Sequence, residues 1–317
     1  MTNRTTLKTN SGDFMKRLIL PVFAFLFISA FTFAQTPYQT KSFTDTNLKS
    51  VVMDVSGADI TVSSWDKNEV KVEFFLESKS KSFLEDFEDR YETYYSLENG
   101  VVYVELKRKS KWNFISWNTK RMYYTVKIPK SFTVDLSTSG GDVDVSEING
   151  SVEAKTSGGD VKVFSVKGVI DVQTSGGDLV FEQVSGKLDG QTSGGDIKVS
   201  NSSGTLSFHT SGGDIDIKSA DGKIVAETSG GDIEVNVPSE LEEMDLETTG
   251  GDIRIRIPKT KLNLELTTFG GDINLSNSVE DDFNGKIKSS KVNGKLNGGG
   301  NYLTAKTTGG DISLAYK

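Results

Sequence analysis

"TSGGDIKVSNSSGTLSFHTSGGD", residues 192–214, closes on the letters it opens with, one period of 18 residues later. The triplet Gly-Gly-Asp ends at Asp142, Asp160, Asp178, Asp196, Asp214 and Asp232 at that same spacing. It recurs at Asp252 and Asp272 after steps of 20, and at Asp311 after 39. A fixed period of this length is the mark of a repeat architecture, in which each unit covers the core of the next.

Aligned on the triplet, the columns explain themselves. After each Asp comes an apolar, polar, apolar alternation: Val143, Val161, Leu179, Ile197, Ile215 and Ile233 in one column, Val145, Val163, Phe181, Val199, Ile217 and Val235 in the next. β-branched residues alternating with polar ones predict a half-buried strand. Nine residues on, Val152, Ile170, Leu188, Leu206 and Ile224 begin a second strand, followed by Ala154, Val172, Gly190, Phe208 and Ala226. Each unit therefore holds two strands and two turns, one written TSGG, the other marked by Gly150, Gly168, Gly186, Gly204 and Gly222. Identical columns favour coils stacked in parallel, and parallel crossovers are right-handed in nearly all proteins. The reading is an all-β protein: a right-handed, two-sheeted parallel β-solenoid of 18–20 residues per coil over 131–317, about 10 coils and roughly 48 Å at ~4.8 Å each. Glycine at the corners is expected to supply positive φ, and the Thr column before them, Thr156 and Thr174 for example, to hydrogen-bond along the axis.

Residues 35–130 read as an elaborated N-terminal cap of strands plus a short helix. "VSGADITV" (55–62) matches the corner with Ala58 in place of glycine, so Asp59 is expected to open an early coil. "SFLEDFEDRYETYYSLENG" spaces Phe83, Phe87, Tyr91 and Tyr94 near a helical period, with Gly100 as its stop. Residues 281–306 break the rhythm and read as one degenerate coil.

Residues 1–34 read as a signal peptide: Met15-Lys16-Arg17, an apolar run, then Thr32-Phe33-Ala34 before cleavage. Met15 makes the better start, so the residues before it suggest a misassigned initiation site. The apolar run is short of the roughly 20 residues a spanning helix needs, so the mature form is expected to carry no transmembrane anchor and to reside in the periplasm, at the cell surface or outside the cell. The absence of cysteine excludes disulfides, thiolate chemistry and lipidation at an N-terminal Cys. A net charge of −8 argues against nucleic acid as a partner.

Two clusters bear on chemistry. The corner carboxylates Asp142, Asp160, Asp178, Asp196, Asp214 and Asp232 could bind calcium between turns, as glycine–aspartate β-rolls do. Such rolls, however, carry the acid at both corners of the coil, and here only one corner is acidic, which favours turn capping. No cofactor is expected beyond that calcium alternative. The stretch "LKRKSKWNFISWNTKR" (106–121) gathers Lys107, Arg108, Lys109, Lys111, Trp112, Phe114 and Trp117 into a basic, aromatic loop, a possible contact with anionic headgroups, cell-wall polymer or glycan, or a plain solvated hairpin tip. The lone His209 belongs to an outward column and has no second His to form a site with. No catalytic residues stand out.

The repeated "TSGGDI-x-V", the early "VSGADITV" and the entry "YTVKIPKSFTVDLSTSGGDVDV" resemble a large bacterial "putative adhesin" family, number-coded as a domain of unknown function and expected to form β-solenoids. The resemblance covers about residues 43–317. It implies a non-enzymatic exported envelope or surface protein whose rod presents a repetitive polar face to an envelope component, glycan or surface protein. It also permits a periplasmic envelope-stress sensor or scaffold acting through the cap loop. A carbohydrate-active enzyme is a minor alternative on composition alone, since carboxylates that could pair for glycoside hydrolysis are plentiful.

Overall fold

The computed structural model describes residues 36–109, 121–239 and 242–317. Two sheets face each other along the chain, one of 13 strands and one of 14, which at ~4.8 Å per strand gives a rod of roughly 60 Å. In the central coils each strand pairs in parallel with its equivalent one period away, Val161 opposite Leu179 in the smaller sheet and Ile170 opposite Leu188 in the larger. Register is fixed because a slip of one residue would turn every apolar side chain outward.

The inward columns are the ones the alternation indicates, and all are buried. A third column joins them at the second turn: Ile148, Val166, Val184, Ser202 and Ala220. The residue before each, Glu147, Ser165, Gln183, Asn201 or Ser219, holds a left-handed φ between 50° and 61°. One gap in the columns is filled from across the core. A Cβ on Gly190 would lie 2.8 Å from the Phe181 ring, so the bulk missing from one sheet is supplied by Phe181 of the other, which also meets Phe208, the strand neighbour of Gly190, at 5.7 Å.

At both ends the order of coils in space departs from their order in sequence. The early coil, strands Ser50–Val55 and Asp59–Trp65, lies between the pair Val101–Arg108/Met122–Pro129 and the pair Thr133–Thr138/Val143–Ser146. The final coil, strands Asn301–Thr307 and Ile312–Tyr316, is likewise intercalated, between Glu243–Thr248/Ile253–Ile257 and Leu262–Thr268/Ile273–Leu275. Residues 281–306 are therefore not one degenerate coil. Phe283–Lys288 and Lys291–Leu296 form an antiparallel hairpin that ends the larger sheet, and the strand after it returns to the interior of the stack.

The helix is shorter than its aromatic spacing suggests. It spans Lys81–Arg90, and Tyr91 is already extended. Tyr91 and Tyr94 belong to the strand Tyr91–Glu98, antiparallel to Val101–Arg108. Asn99-Gly100, with φ of 53° and 79°, is the two-residue hairpin turn that such a dipeptide favours, not a helix stop. Phe87 of the helix packs within 5.4–5.6 Å of Tyr38, Phe74 and Tyr91 and plugs this end of the core. Gln39 Oε1 accepts hydrogen bonds from Tyr95 Oη at 2.9 Å and Thr93 Oγ1 at 3.2 Å, tying the outermost strands of the two sheets together.

Candidate functional site: the acidic corner and the outer faces

The TSGGD corner is a repeated hydrogen-bond unit. Thr156 Oγ1 donates to the Gly141 carbonyl of the preceding coil at 3.0 Å and accepts the Gly159 amide of its own coil at 3.3 Å. Thr174, Thr192, Thr210 and Thr228 repeat both bonds. The axial contact expected of this column therefore runs to glycine carbonyls, and it satisfies a buried hydroxyl.

The glycines of the Gly-Gly-Asp corners do not hold positive φ; that conformation falls on Gly57 of the early corner, φ 71°, and on Gly168, Gly186, Gly204 and Gly222 of the second turn. What the corner demands is contact. A Cβ on Gly177 would stand 1.9 Å from the Gly159 carbonyl oxygen. The first glycine of the pair is under no such constraint, since a Cβ on Gly176 would come no closer than 3.8 Å.

Each Asp side chain completes the ladder where the main chain turns. Asp142 Oδ1 accepts the Asp160 amide at 3.0 Å, and Asp160, Asp178, Asp196 and Asp214 do the same for the coil that follows. Asp59 starts the series with the Asp142 amide, and the intercalated Asp311 sits between Asp252 and Asp272. The capping partner is thus one coil away, beyond the local turn that sequence reasoning considers. Several of the second oxygens meet cations, Lys198 standing 3.8 Å from that of Asp196. Arg254 bridges Asp232 at 2.6 Å and Asp252 at 2.7 Å, and Arg121 reaches Asp59 at 2.8 Å. Burial pushes the Asp232 carboxyl up, but the hydrogen bonds from Arg254 and the Asp252 amide, with the arginine's charge, outweigh it and hold the group below the usual range. Arg254 carried no signal in the sequence, because it lies in no repeat column of like residues, and Arg121, which closes the basic stretch 106–121, was legible only as part of that loop and not as a partner of Asp59.

Beside the ladder is a hollow of about 210 Å³ lined by Asp196, Asp214, Asp216, Asp232, Glu234 and Arg254. Among the described residues no group of three or more carboxylates or histidines is arranged to hold a metal ion. A second hollow, about 350 Å³, lies against Tyr94, Tyr95, Ser96, Glu98, Tyr103 and Glu105 on the outermost hairpin of the larger sheet.

On the larger sheet's outer face one side-chain pair recurs in two adjacent coils. Gln173 Nε2 donates to Asp171 at 3.1 Å, and Gln191 Nε2 to Asp189 at 2.9 Å, with Gln173 opposite Gln191 and Asp171 opposite Asp189. His209 continues this column, exposed, with Nδ1 3.4 Å from Glu227. Of the basic loop, Lys107 pairs with Glu105, and Lys109 Nζ donates to the Glu88 carbonyl at 2.6 Å. Arg108 ends the strand that begins at Val101. Lys111, Trp112, Phe114 and Trp117 lie outside the described residues.

Two long, mostly parallel sheets joined by acidic corners define a solenoid-like all-β protein. Residues 48–315 match the Toastrack family, DUF4097, and the chain belongs to it. It is similar to a solved Bacteroides fragilis protein described as a "putative adhesin", with 14% identity over 88% of this chain and 96% of that one and a TM-score of 0.40. A Parabacteroides distasonis protein described as a "putative lipid binding protein" is 16% identical over 89% and 97% of the two chains, with a TM-score of 0.42. A Clostridium sporogenes "putative cell adhesion protein" is 12% identical over 88% and 98%, with a TM-score of 0.25. No curated protein matches.

Proposed function

We propose that this chain is an exported, non-enzymatic rod of the cell envelope or cell surface that binds a repetitive polar partner through the outer face of its larger sheet. The observation that carries the reading is the repeated Gln–Asp pair, Gln173 with Asp171 and Gln191 with Asp189 in one register. Two such amide–carboxylate pairs ~4.8 Å apart, continued along the face by the polar Lys155, Glu153, His209 and Glu227, suit a partner that repeats hydroxyl or amide groups, such as an envelope glycan. Contacts that are weak singly gain by avidity when several engage together. Export rests on the signal-like residues 1–34. The absence of an enzyme reading rests on the sameness of the coils, which offers no one place where dissimilar catalytic groups converge.

The test is to remove one coil, residues 178–195, which leaves the period intact and should leave the fold intact as well. Binding of the purified chain to an envelope polysaccharide fraction should weaken with each coil removed. Unchanged binding after coil removal, with loss on substituting Trp112 and Trp117, would move the function to the basic loop.

A further inference from the structure

We propose that copies of this chain join end to end through the two unpaired edges of the larger sheet, the strand Tyr91–Glu98 of one copy pairing with the strand Phe283–Lys288 of the next. These two strands are the first and last of the 14, and among the described residues each has a strand partner on one side only. An unpaired edge is a row of free amides and carbonyls, a template for another strand.

Direction fits. Tyr91–Glu98 runs antiparallel to its neighbour, which is parallel to the coils, whereas Phe283–Lys288 is separated from the coils by two antiparallel steps and runs with them. Two copies stacked in one orientation therefore meet antiparallel, the more stable arrangement.

Charge fits as well. Residues directly opposite in an antiparallel pair share a face. Val292 and Leu296 are buried, so their partners Ile287 and Phe283 point inward and Asn284, Lys286 and Lys288 point outward. Of the hairpin lysines 286, 288, 291 and 295, only Lys291 has a described carboxylate partner, Glu265 at 3.2 Å. At the other end Glu92, Tyr94 and Glu98 are exposed on the outward face. Glu92 lies 3.8 Å from Lys109 and opposite Lys107, so the carboxylates there with no described cationic partner are Glu98 and, on the helix beside it, Glu88 and Asp89, while Glu85 and Asp86 pair with Lys81 and Arg90. A lysine edge repels a copy of itself and the acidic edge does likewise, so each is left to the other.

The inward side agrees. Ile287 is 49% exposed because the smaller sheet has no strand facing this hairpin. Pairing would set it beside Tyr95 and Leu97, which are packed on the core from their own strand. The contact is head-to-tail and does not close, so it would yield filaments. It does not depend on the binding role proposed above, although it would lengthen the face that role uses.

The experiment is sedimentation of the purified full chain over a range of concentrations at low and high salt. The expected mass rises to multiples of the monomer with concentration and falls with salt, since exposed charges are screened. Lys286→Glu with Lys288→Glu, and separately Glu92→Lys with Glu98→Lys, should each remain monomeric, and mixing the two should restore assembly. A wild type monomeric throughout, or a lysine variant that assembles as well as wild type, overturns the proposal. So does a monomeric wild type that binds phosphatidylglycerol vesicles through these lysines, which would assign the edge to a membrane surface.

Discussion

The amide of Asp160 donates to Oδ1 of Asp142, one coil away, at 3.0 Å, while the amide of Val143 donates to the Asp160 carbonyl at 2.9 Å. Asp160 thus makes both bonds of a parallel β-ladder, with the Asp142 side chain and the Val143 amide, although the chain is turning. A side-chain oxygen stands in for a carbonyl that the corner has rotated away. Because the same exchange recurs from Asp59 to the last rung at Asp272, the acidic column is part of the fold's hydrogen bonding before it is anything else. Apart from Asp59, Asp232 and Asp252, whose second oxygens meet arginines, neighbouring carboxylates at ~4.8 Å in a high dielectric repel by under about 1 kcal/mol.

The two glycines of one corner should respond oppositely to the same change. Gly177→Ala places a methyl 1.9 Å from a main-chain oxygen, and the coils must separate to admit it. We expect a loss of about 3 kcal/mol or more, in the range of severe overpacking. Gly176→Ala meets nothing closer than 3.8 Å and should be within about 0.5 kcal/mol of wild type. Urea unfolding of both variants decides, and equal effects would mean that the constraint is dihedral.

Removal of residues 301–317 should cost far more than the loss of an end coil. Those strands separate Ile253–Ile257 from Ile273–Leu275 and bury Leu303, Ala305, Ile312 and Leu314. Their absence exposes two core faces. Limited proteolysis of the truncated chain should cut between 258 and 300 at a protease concentration that leaves the whole chain intact. An equally resistant truncation would show that the neighbouring coils close the gap.

The repeat was legible because it is written in period and alternation, which need no tertiary knowledge. The intercalated ends were not, since parallel strands carry no label of which coil they neighbour, and "TTGGDISLAYK" (307–317) matches Asp252 and Asp272 equally well. The Asp–amide ladder was half legible: the residue type indicated capping, but its donor lies 18 residues away, beyond any local turn rule. Left-handed φ at Ser165 and Gln183 left no trace, because neither is the glycine or asparagine that normally announces it. The hairpin at Asn99-Gly100 was legible and was overridden by the aromatic spacing before it.

Stability should carry two opposed carboxylate signatures. Burial, then the nearby Glu247, Glu227 and Glu243, pushes the Asp245 carboxyl above its ordinary 3.8. Its folded value exceeds its unfolded one, so its contribution is fully present below the unfolded value and is lost as pH rises through the folded one. Asp245→Asn should therefore stabilise the protein at pH 7 by a few tenths of a kcal/mol, the group being largely solvated, and the gain should vanish in acid. Asp232, held low by Arg254 and the Asp252 amide despite burial, behaves in reverse. Its contribution is present above the unfolded value and is lost as pH falls through the folded one, so Asp232→Asn should destabilise at pH 7. Melting temperatures of both variants across pH 3–7 test the signs.

The most direct measurement is thermal unfolding of wild type, Asp178→Asn and Asp178→Ala, each with calcium and with chelator. If Asp178 serves as an acceptor for the Asp196 amide at 2.8 Å, the asparagine variant melts close to wild type. The alanine variant then loses about 1–3 kcal/mol, the cost of a donor left unpaired, and calcium shifts none of the three curves. A calcium-dependent rise in wild type that both substitutions abolish would contradict the account and make the corners ligands, since an ion bound to the native state must raise its stability.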